Sequence, residues 1–280
     1  MSLLRSTCSH PRSRARSLIL CLVRPYVNEP HLLSRPTLQV EVFAGGEKLL
    51  RRATGFLLYC EGHYFLATNY HVLSGRHPKS GELKDVVRQS ISIHHRTIDH
   101  STLYGGIRPT CEPLLDERQT PNWICHEQRD LSGSEDARLA VDVALLPLTN
   151  TAHIVREYAY LWESLVVEPR VAVGSEVSVI GYPLGYTGLV GYPIWKCAHI
   201  ASEIHAHPDG KHFLIDCVSR EGMSGAPVVK KGEGGQFLGI YSGRMFQDEE
   251  FGIGIVWRWH LIHDLLEIYF GKPLYRTRYA

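Results

Sequence analysis

A histidine, an aspartate and a serine stand in contexts that would let them act together in nucleophilic catalysis. His71 follows an apolar segment typical of a β-strand, Asp142 heads a second apolar run, and Ser224 lies between glycines. A serine hydroxyl is unreactive at neutral pH until a base removes its proton, and that base needs a carboxylate to orient it. Each of the three residues alone has an ordinary structural explanation, so the prediction depends on their occurring together.

The segment around Ser224 has the composition of an oxyanion-binding turn. Gly222 and Gly225 allow the backbone to bend so that the N–H groups of Gly222 and Ser224 point at one spot beside the serine hydroxyl. Such a pair of amides stabilises the negative charge that develops when a nucleophile attacks a carbonyl. Gly-Ser-Gly turns also occur in ordinary loops, so this segment supports catalysis only together with His71 and Asp142.

Short β-strands are predicted to position these residues. From Thr37 onward, short apolar runs with a period of two are separated by Gly, Pro, Asn and Asp, which is the pattern of a β-sandwich or barrel. The polar interval 74–134 is too long for a plain loop and is expected to contain hairpins of its own. The predicted strands are Leu38–Phe43, Gly55–Cys60, Tyr64–Thr68, Val143–Leu148, Val177–Gly181, Phe213–Val218, Pro227–Lys230, Phe237–Ser242 and Gly252–Val256.

Two segments carry apolar residues at helical spacing. They recur between Ile154 and Leu165, in a stretch that could link two halves of the protein, and again between Leu261 and Tyr269 near the C-terminus. Gly271 is expected to end the second helix, because glycine readily adopts the left-handed conformation found after helix C-termini.

Composition and charge exclude several classes of protein. The chain has 280 residues, with 30 Lys and Arg against 29 Asp and Glu and 44% hydrophobic residues, which is typical of a globular protein. This balance argues against nucleic acid as a partner, because phosphate binding requires a strongly basic face. No run approaches the ~18 apolar residues of a membrane span.

Residues 1–28 contain five arginines and no acidic residue, which fits either an organellar targeting segment or a disordered extension. Oligomeric state is left open.

Seven cysteines occur at irregular spacings and without a C-x-x-C motif. An odd number at such spacings fits neither a disulfide framework nor a zinc site, so reduced thiols are expected. Reduced thiols favour a cytoplasmic, reducing location, with organellar targeting by the N-terminal segment as the alternative.

The three chemical segments resemble the signature motifs of the chymotrypsin clan of trypsin-like serine peptidases, in that clan's chain order. Thr-Asn-Tyr-His-Val at Thr68–Val72 is closer to the HtrA-like and single-domain bacterial branch than to the digestive enzymes. Because only a short segment follows the predicted terminal helix, a PDZ domain is not expected. The matching segments are Thr68–Val72, Asp142–Leu145, Gly181–Gly185, Gly222–Pro227, Gly239–Arg244 and Gly252–Val256.

This resemblance implies an all-β fold of two perpendicular six-stranded antiparallel β-barrels followed by a C-terminal helix. The implied organisation is a disordered or targeting extension over residues 1–36, a first barrel over 37–150, a linker helix over 151–170, a second barrel over 171–258, and a helix and tail over 259–280. It implies a serine endopeptidase acting on polypeptides without a cofactor.

The resemblance also assigns roles to individual residues. Ser224 would be the nucleophile, His71 the general base, Asp142 its orienting acceptor, and Gly222 and Ser224 the oxyanion donors. The substrate-binding residues would be Val218, Ser242, Gly243 and Arg244, with Ser242 beside Asp142 and the others next to an extended substrate.

Some positions depart from the pattern of secreted relatives. Val72 and Arg220 stand where those relatives carry disulfide-forming cysteines, and Met223 stands where zymogen-activated enzymes carry an Asp. Activation by a salt bridge to a freed N-terminus is therefore not expected. Val218 in place of an Asp favours an apolar or small primary side chain in the substrate over Lys or Arg.

Three other readings compete with the peptidase. The Gly-x-Ser-x-Gly segment also suggests an α/β-hydrolase, but such enzymes place the histidine last and alternate strands with helices. Two histidine groups invite a metal hypothesis; without a completing ligand set, solvated loop histidines are the preferred interpretation. The third reading is a silent or latent protease fold that binds peptides without cleaving them. The histidines concerned are His94, His95, His100, His205, His207 and His212.

Overall fold

The computed structural model describes residues 31–45, 48–77, 82–83, 86–97, 106–126, 141–165, 170–188, 191–204, 210–232, 235–244 and 252–274. Within them the protein is mostly β, with two curled sheets and three α-helices. No helix in these ranges is both long enough and apolar enough to cross a membrane.

The first sheet contains eight strands. Seven pair antiparallel in the order β5-β4-β1-β2-β3-β7-β6, and β8 pairs in parallel with β2. Alternate residues of β1 and β4 point inward onto a core that includes Val40, Leu66 and Ile93. The strands are β1 Thr37–Ala44, β2 Lys48–Cys60, β3 His63–Thr68, β4 Ser90–Thr97, β5 Gly106–Pro113, β6 Ile124–Cys125, β7 Ala144–Pro147 and β8 Tyr160–Leu161.

The second sheet contains six antiparallel strands in the order β10-β9-β12-β13-β14-β11. It encloses its own core, which includes Val179, Met223 and Val256. A third cluster joins the two sheets, because Phe56 and Phe65 from the first pack with Phe237 and Trp257 from the second. The strands are β9 Glu176–Gly181, β10 Ile194–His199, β11 His212–Asp216, β12 Pro227–Lys230, β13 Phe237–Arg244 and β14 Ile253–Arg258.

The helices are short apart from the last one. They are α1 Tyr70–Ser74, α2 Trp162–Leu165 and α3 His260–Phe270, and single 3-10 turns occur at Leu32–Ser34, Arg156–Tyr158 and Pro183–Gly185. Leu261 and Leu265 of α3 pack into the cluster between the two sheets. Gly271 ends α3 in the left-handed conformation, with φ of 61°, as predicted.

The all-β prediction with a C-terminal helix is confirmed, and each of the nine predicted strands corresponds to an observed one. The polar interval after α1 contains the predicted hairpin-type pairing, because β4 and β5 are antiparallel neighbours. The first sheet has eight strands rather than six within the described residues, since the two-residue strands β6 and β8 extend it.

The linker helix predicted over 151–170 is wrong for the described residues of that range. The chain there forms a 3-10 turn, then β8, then the four-residue α2. Tyr160 and Leu161 pair in parallel with Leu58 and Tyr59 of β2, which fixes an extended backbone in the middle of the helical pattern. Tertiary pairing therefore overrides the local periodicity.

The histidines interpreted as solvated loop residues do not all lie in loops. His94 and His95 are in β4 and His212 is in β11, and both His95 and His212 are buried. His212 packs against the ring of Trp257 at a centroid distance of 5.3 Å. The other three histidines of the prediction, His100, His205 and His207, lie outside the described residues.

Candidate active site

Asp142 and His71 form a largely buried pair joined by two hydrogen bonds. The Nδ1 atom of His71 lies 2.7 Å from Oδ2 of Asp142, and the backbone N–H of His71 donates to Oδ1 at 2.9 Å. Asp142 is 1% exposed, whereas the His71 side chain keeps 12% of its surface accessible. A carboxylate can only accept, so Nδ1 carries the proton and Nε2 is left as the proton acceptor.

Helix α1 presents His71 because its other side is anchored in the first sheet. Val72 and Leu73 are buried in the core of that sheet, and Gly75 ends the helix in the left-handed conformation. Before the helix, the side-chain amide of Asn69 donates to the Asp142 carbonyl at 2.7 Å. The strand-start aspartate and the helix carrying the histidine are thus bonded through backbone as well as side chains.

Arg88 holds the other end of α1. Its Nη1 donates to the carbonyl of His71 at 2.7 Å and also to the carbonyl of Val72. Arg88 is 2% exposed, so these bonds are sheltered from water. The residue comes from the polar interval after α1, and no sequence pattern indicated its role.

The loop carrying Ser224 has two glycines in the left-handed region, with φ of 92° at Gly222 and 88° at Gly225. A Cβ atom on Gly222 would lie 2.3 Å from the carbonyl oxygen of Tyr182, and one on Gly225 would lie 2.0 Å from that of Thr54. Both positions therefore require glycine for space as well as for conformation. Ser224 itself is half-buried.

The amides of Gly222 and Ser224 are both available to a ligand. Within the described part of the chain, neither N–H donates to a protein acceptor, whereas those of Met223 and Gly225 do. The Glu221 carbonyl accepts from the Leu184 N–H at 2.5 Å. In a trans peptide the carbonyl and the following N–H point in opposite directions, so the Gly222 N–H points away from Leu184.

Met223 lies in the apolar core of the second sheet with no exposed surface. Gly181 packs closely against it, since a Cβ on Gly181 would lie 3.1 Å from the Met223 sulfur. The nucleophile loop is therefore seated by hydrophobic burial at the position where zymogen-activated relatives form a salt bridge.

Ser242 is the unpaired residue of a β-bulge and reaches Asp142. In the pairing of β13 with β14, Tyr241 and Gly243 have successive partners and Ser242 has none. A bulge of this kind re-aims a side chain. The Ser242 hydroxyl donates to Oδ2 of Asp142, the same oxygen that binds the His71 ring.

The remaining predicted substrate-binding residues lie at two places in the second sheet, Gly243 and Arg244 at the end of β13 and Val218 after β11. Gly243 and Arg244 pair with β14 on one side, while β12 pairs with β13 only as far as Ile240. In the described residues no strand occupies the other side of Ser242–Arg244. Val218 is 51% exposed and lies beside Gly252, immediately before β14.

Strand β13 links the loop of Ser224 to Asp142. The Gly225 N–H donates to the Tyr241 carbonyl at 2.9 Å, while the neighbouring Ser242 contacts Asp142. No hydrogen bond joins Ser224 to His71 among the described contacts. Bonds between a nucleophile and its base are often long without substrate and tighten when substrate binds.

One thiol and two phenols in the described part of the protein are poor nucleophiles near neutral pH. Burial raises the pKa of the Cys217 thiol and of the phenols of Tyr70 and Tyr182, so all three stay protonated near neutral pH. The five cysteines within the described ranges are free. In the same ranges no group of three or more His, Cys, Asp or Glu residues is arranged to hold a metal.

Sequence reasoning missed Thr54, Asn69 and Arg88, whose polar groups hold the site together. The hydroxyl of Thr54 donates to the Gly222 carbonyl at 2.7 Å although the two residues are 168 positions apart. Asn69 was noted only as part of a motif. A threonine immediately before a glycine and an apolar run has no chemical signature of its own, so its role becomes visible only in three dimensions.

Two mainly antiparallel β-sheets, a hydrogen-bonded histidine–aspartate pair and a serine on a loop with two left-handed glycines are together typical of a serine peptidase. In agreement, the family model described as trypsin-like peptidase domain matches residues 53–240. The chain belongs to this family of trypsin-like peptidases. A comparison with curated protein sequences found no match.

Solved structures of serine proteases resemble this chain at low sequence identity. The thermostable serine protease AL20 from an extremophilic microorganism matches with a TM-score of 0.50 and 14% identity, covering 85% of this chain and 98% of its own. An inactive form of Rv3671c from M. tuberculosis gives 0.49 and 16%, covering 89% and 95%. The serine endoprotease from Yersinia pestis gives 0.48 and 16%, covering 84% and 62%. At such identity the likeness to AL20 concerns the fold alone.

Proposed function

We propose that the protein is a serine endopeptidase that hydrolyses peptide bonds through a Ser224–His71–Asp142 triad and an acyl-enzyme intermediate. The observation that carries the proposal is the His71–Asp142 pair together with the amides of Gly222 and Ser224, which donate to no acceptor in the described part of the protein. A silent protein-binding relative would not require either feature to be kept.

The proposed reaction begins when the Ser224 hydroxyl attacks the carbonyl carbon of the scissile bond. Nε2 of His71 accepts the hydroxyl proton while Asp142 stabilises the imidazolium that forms. The N–H groups of Gly222 and Ser224 donate to the developing oxyanion. His71 then gives its proton to the leaving amine, and a water molecule activated by His71 hydrolyses the ester on Ser224.

A polypeptide in extended conformation is the proposed substrate. The open side of Gly243 and Arg244 would accept it as an additional strand, with backbone hydrogen bonds supplying affinity. Val218, which is half-exposed and lies beside Gly252 just before β14, favours a small or apolar side chain on the acyl side of the cleaved bond.

A fluorophosphonate probe combined with a protein substrate tests the proposal. We expect the wild type to be labelled covalently and to cleave unfolded casein, and we expect Ser224→Ala and His71→Ala to do neither while keeping the wild-type circular dichroism. Internal cleavage sites, read by mass spectrometry, distinguish an endopeptidase from an exopeptidase. Folded wild type that binds peptides but is never labelled would instead be a binding module.

A further inference from the structure

Thr54 makes four hydrogen bonds from a fully buried position in β2, three of them to loops of the second sheet and one to β3 of its own sheet. Its backbone N–H donates to the Ser224 carbonyl at 2.9 Å, and its hydroxyl donates to the Gly222 carbonyl at 2.7 Å. The same hydroxyl accepts from the Tyr182 N–H at 3.0 Å. The Thr54 carbonyl accepts from the hydroxyl of Thr68 at 2.8 Å. All polar groups of the residue are therefore used.

The direction of the hydroxyl bond is fixed. The Tyr182 N–H can only donate, so the Thr54 oxygen must accept there. Its single proton is then available only for the Gly222 carbonyl, which can only accept. One hydroxyl thus links the nucleophile loop to the turn after β9, and that turn supplies the Leu184 N–H that holds the Glu221 carbonyl.

Every peptide plane around the oxyanion amides is held by a hydrogen bond. The Leu184 N–H holds the plane before Gly222, and the Ala226 N–H holds the Met223 carbonyl in the plane before Ser224. Thr54 holds the peptide planes that follow Gly222 and Ser224, because its hydroxyl donates to the Gly222 carbonyl and its N–H donates to the Ser224 carbonyl. A peptide cannot rotate without moving its neighbours, so fixing these planes restricts the orientation of the two donating amides.

We propose that Thr54 is a positioning residue that sets the orientation of the Gly222 and Ser224 amides and thereby the turnover rate. The inference rests on the proposed peptidase function. Its hydroxyl acts on the transition state through the loop, since it touches the Gly222 carbonyl and not the reacting atoms. Binding of the substrate strand at β13 involves other residues and is expected to be unaffected.

The test compares Thr54→Val, which keeps the shape but removes the hydroxyl, with Thr54→Ser, which keeps the hydroxyl. Thr37→Val is the matched control, because Thr37 is also fully buried in the first sheet and its hydroxyl bonds a carbonyl 3.2 Å away, outside the site. We expect Thr54→Val to lower kcat on the order of 100-fold at nearly unchanged KM, as for loss of an oxyanion donor. Thr54→Ser should stay within about threefold of wild type, and Thr37→Val should keep its kcat.

Equal values of kcat for Thr54→Val and Thr37→Val, measured on folded protein, would overturn the inference. So would equal losses in Thr54→Val and Thr54→Ser, because that result assigns the effect to packing alone. Amide hydrogen exchange supplies a readout that needs no activity: exchange across 221–225 should accelerate in Thr54→Val and not in Thr37→Val. If folded wild type shows no hydrolysis or labelling, the peptidase proposal fails, and the exchange result still decides whether Thr54 holds the loop.

Discussion

Replacing Gly225 by alanine should displace the nucleophile. Gly225 has φ of 88°, and an added Cβ would lie 2.0 Å from the carbonyl oxygen of Thr54 and 2.2 Å from the hydroxyl oxygen of Thr68. The nearer of these atoms is backbone in the middle of β2, so no side-chain rotation relieves the overlap.

The required movement follows from these distances. Ordinary van der Waals contact begins at 3.4 Å, so the Ser224–Gly225 backbone must move by ~1.4 Å relative to β2. A misplacement of about 1 Å costs on the order of 100-fold in rate, because reacting groups must meet in a narrow geometry. The left-handed conformation of an alanine adds roughly 1–2 kcal/mol of strain. We therefore expect kcat/KM to fall by at least ~100-fold and the folded state to be destabilised by more than the strain alone.

Gly174→Ala separates the two contributions. Gly174 has φ of 81° and no atom within 4 Å of an added Cβ, so it carries the same conformational strain without the overlap. Its urea midpoint should shift slightly while its peptide hydrolysis stays at the wild-type rate. The reasoning is refuted if folded Gly225→Ala hydrolyses the same peptide within threefold of Gly174→Ala.

Three further perturbations have defined outcomes. Ser242→Ala removes a hydroxyl donor to the Asp142 carboxylate and should lower kcat about tenfold, measured by steady-state kinetics; an unchanged kcat would exclude a role for that bond. Arg88→Met leaves carbonyls at the end of α1 without their guanidinium donor, so the free energy of unfolding in urea should fall by about 2–4 kcal/mol, and a change near zero contradicts this. Burial lowers the pKa of His95 from 6.5 to about 3, so between these pH values the unfolded chain binds a proton that the folded chain does not. The free energy of unfolding should therefore decrease as pH falls from 6.5 towards 3, by up to ~1.4 kcal/mol per pH unit. A His95→Phe variant whose stability keeps the same slope against pH would disprove this explanation.

Local patterns predicted the strands well because each carries its own signal. In β1 the inward residues are apolar at a period of two, β3 is a short apolar run buried on both faces, and turn residues separate the strands. The strand β4 was not assigned, although an interval containing hairpins was expected, because its inward positions include His95 as well as isoleucines. The segment 154–165 shows the opposite failure, since its helical spacing was real but pairing with β2 determined the backbone.

The chemical residues could be named from the sequence because reactivity restricts the choice of amino acid. A base, a nucleophile and a carboxylate each have few substitutes, so His71, Ser224 and Asp142 stand out in their segments. Supporting residues such as Thr54 and Arg88 are different, because a threonine or an arginine suits many environments. Their contribution depends on which carbonyl groups the folded chain brings within hydrogen-bonding distance. A hydrogen bond between residues 168 positions apart produces no periodic pattern in the sequence.

The burial of Met223 has a consequence for how activity would arise. An anchor without charge needs no liberated amino group, no cut and no particular salt concentration to take its place. The active geometry of the nucleophile loop would therefore form when the chain folds around the core of the second sheet. For such an enzyme, the step that closes the second core and the step that seats the nucleophile loop would be the same one.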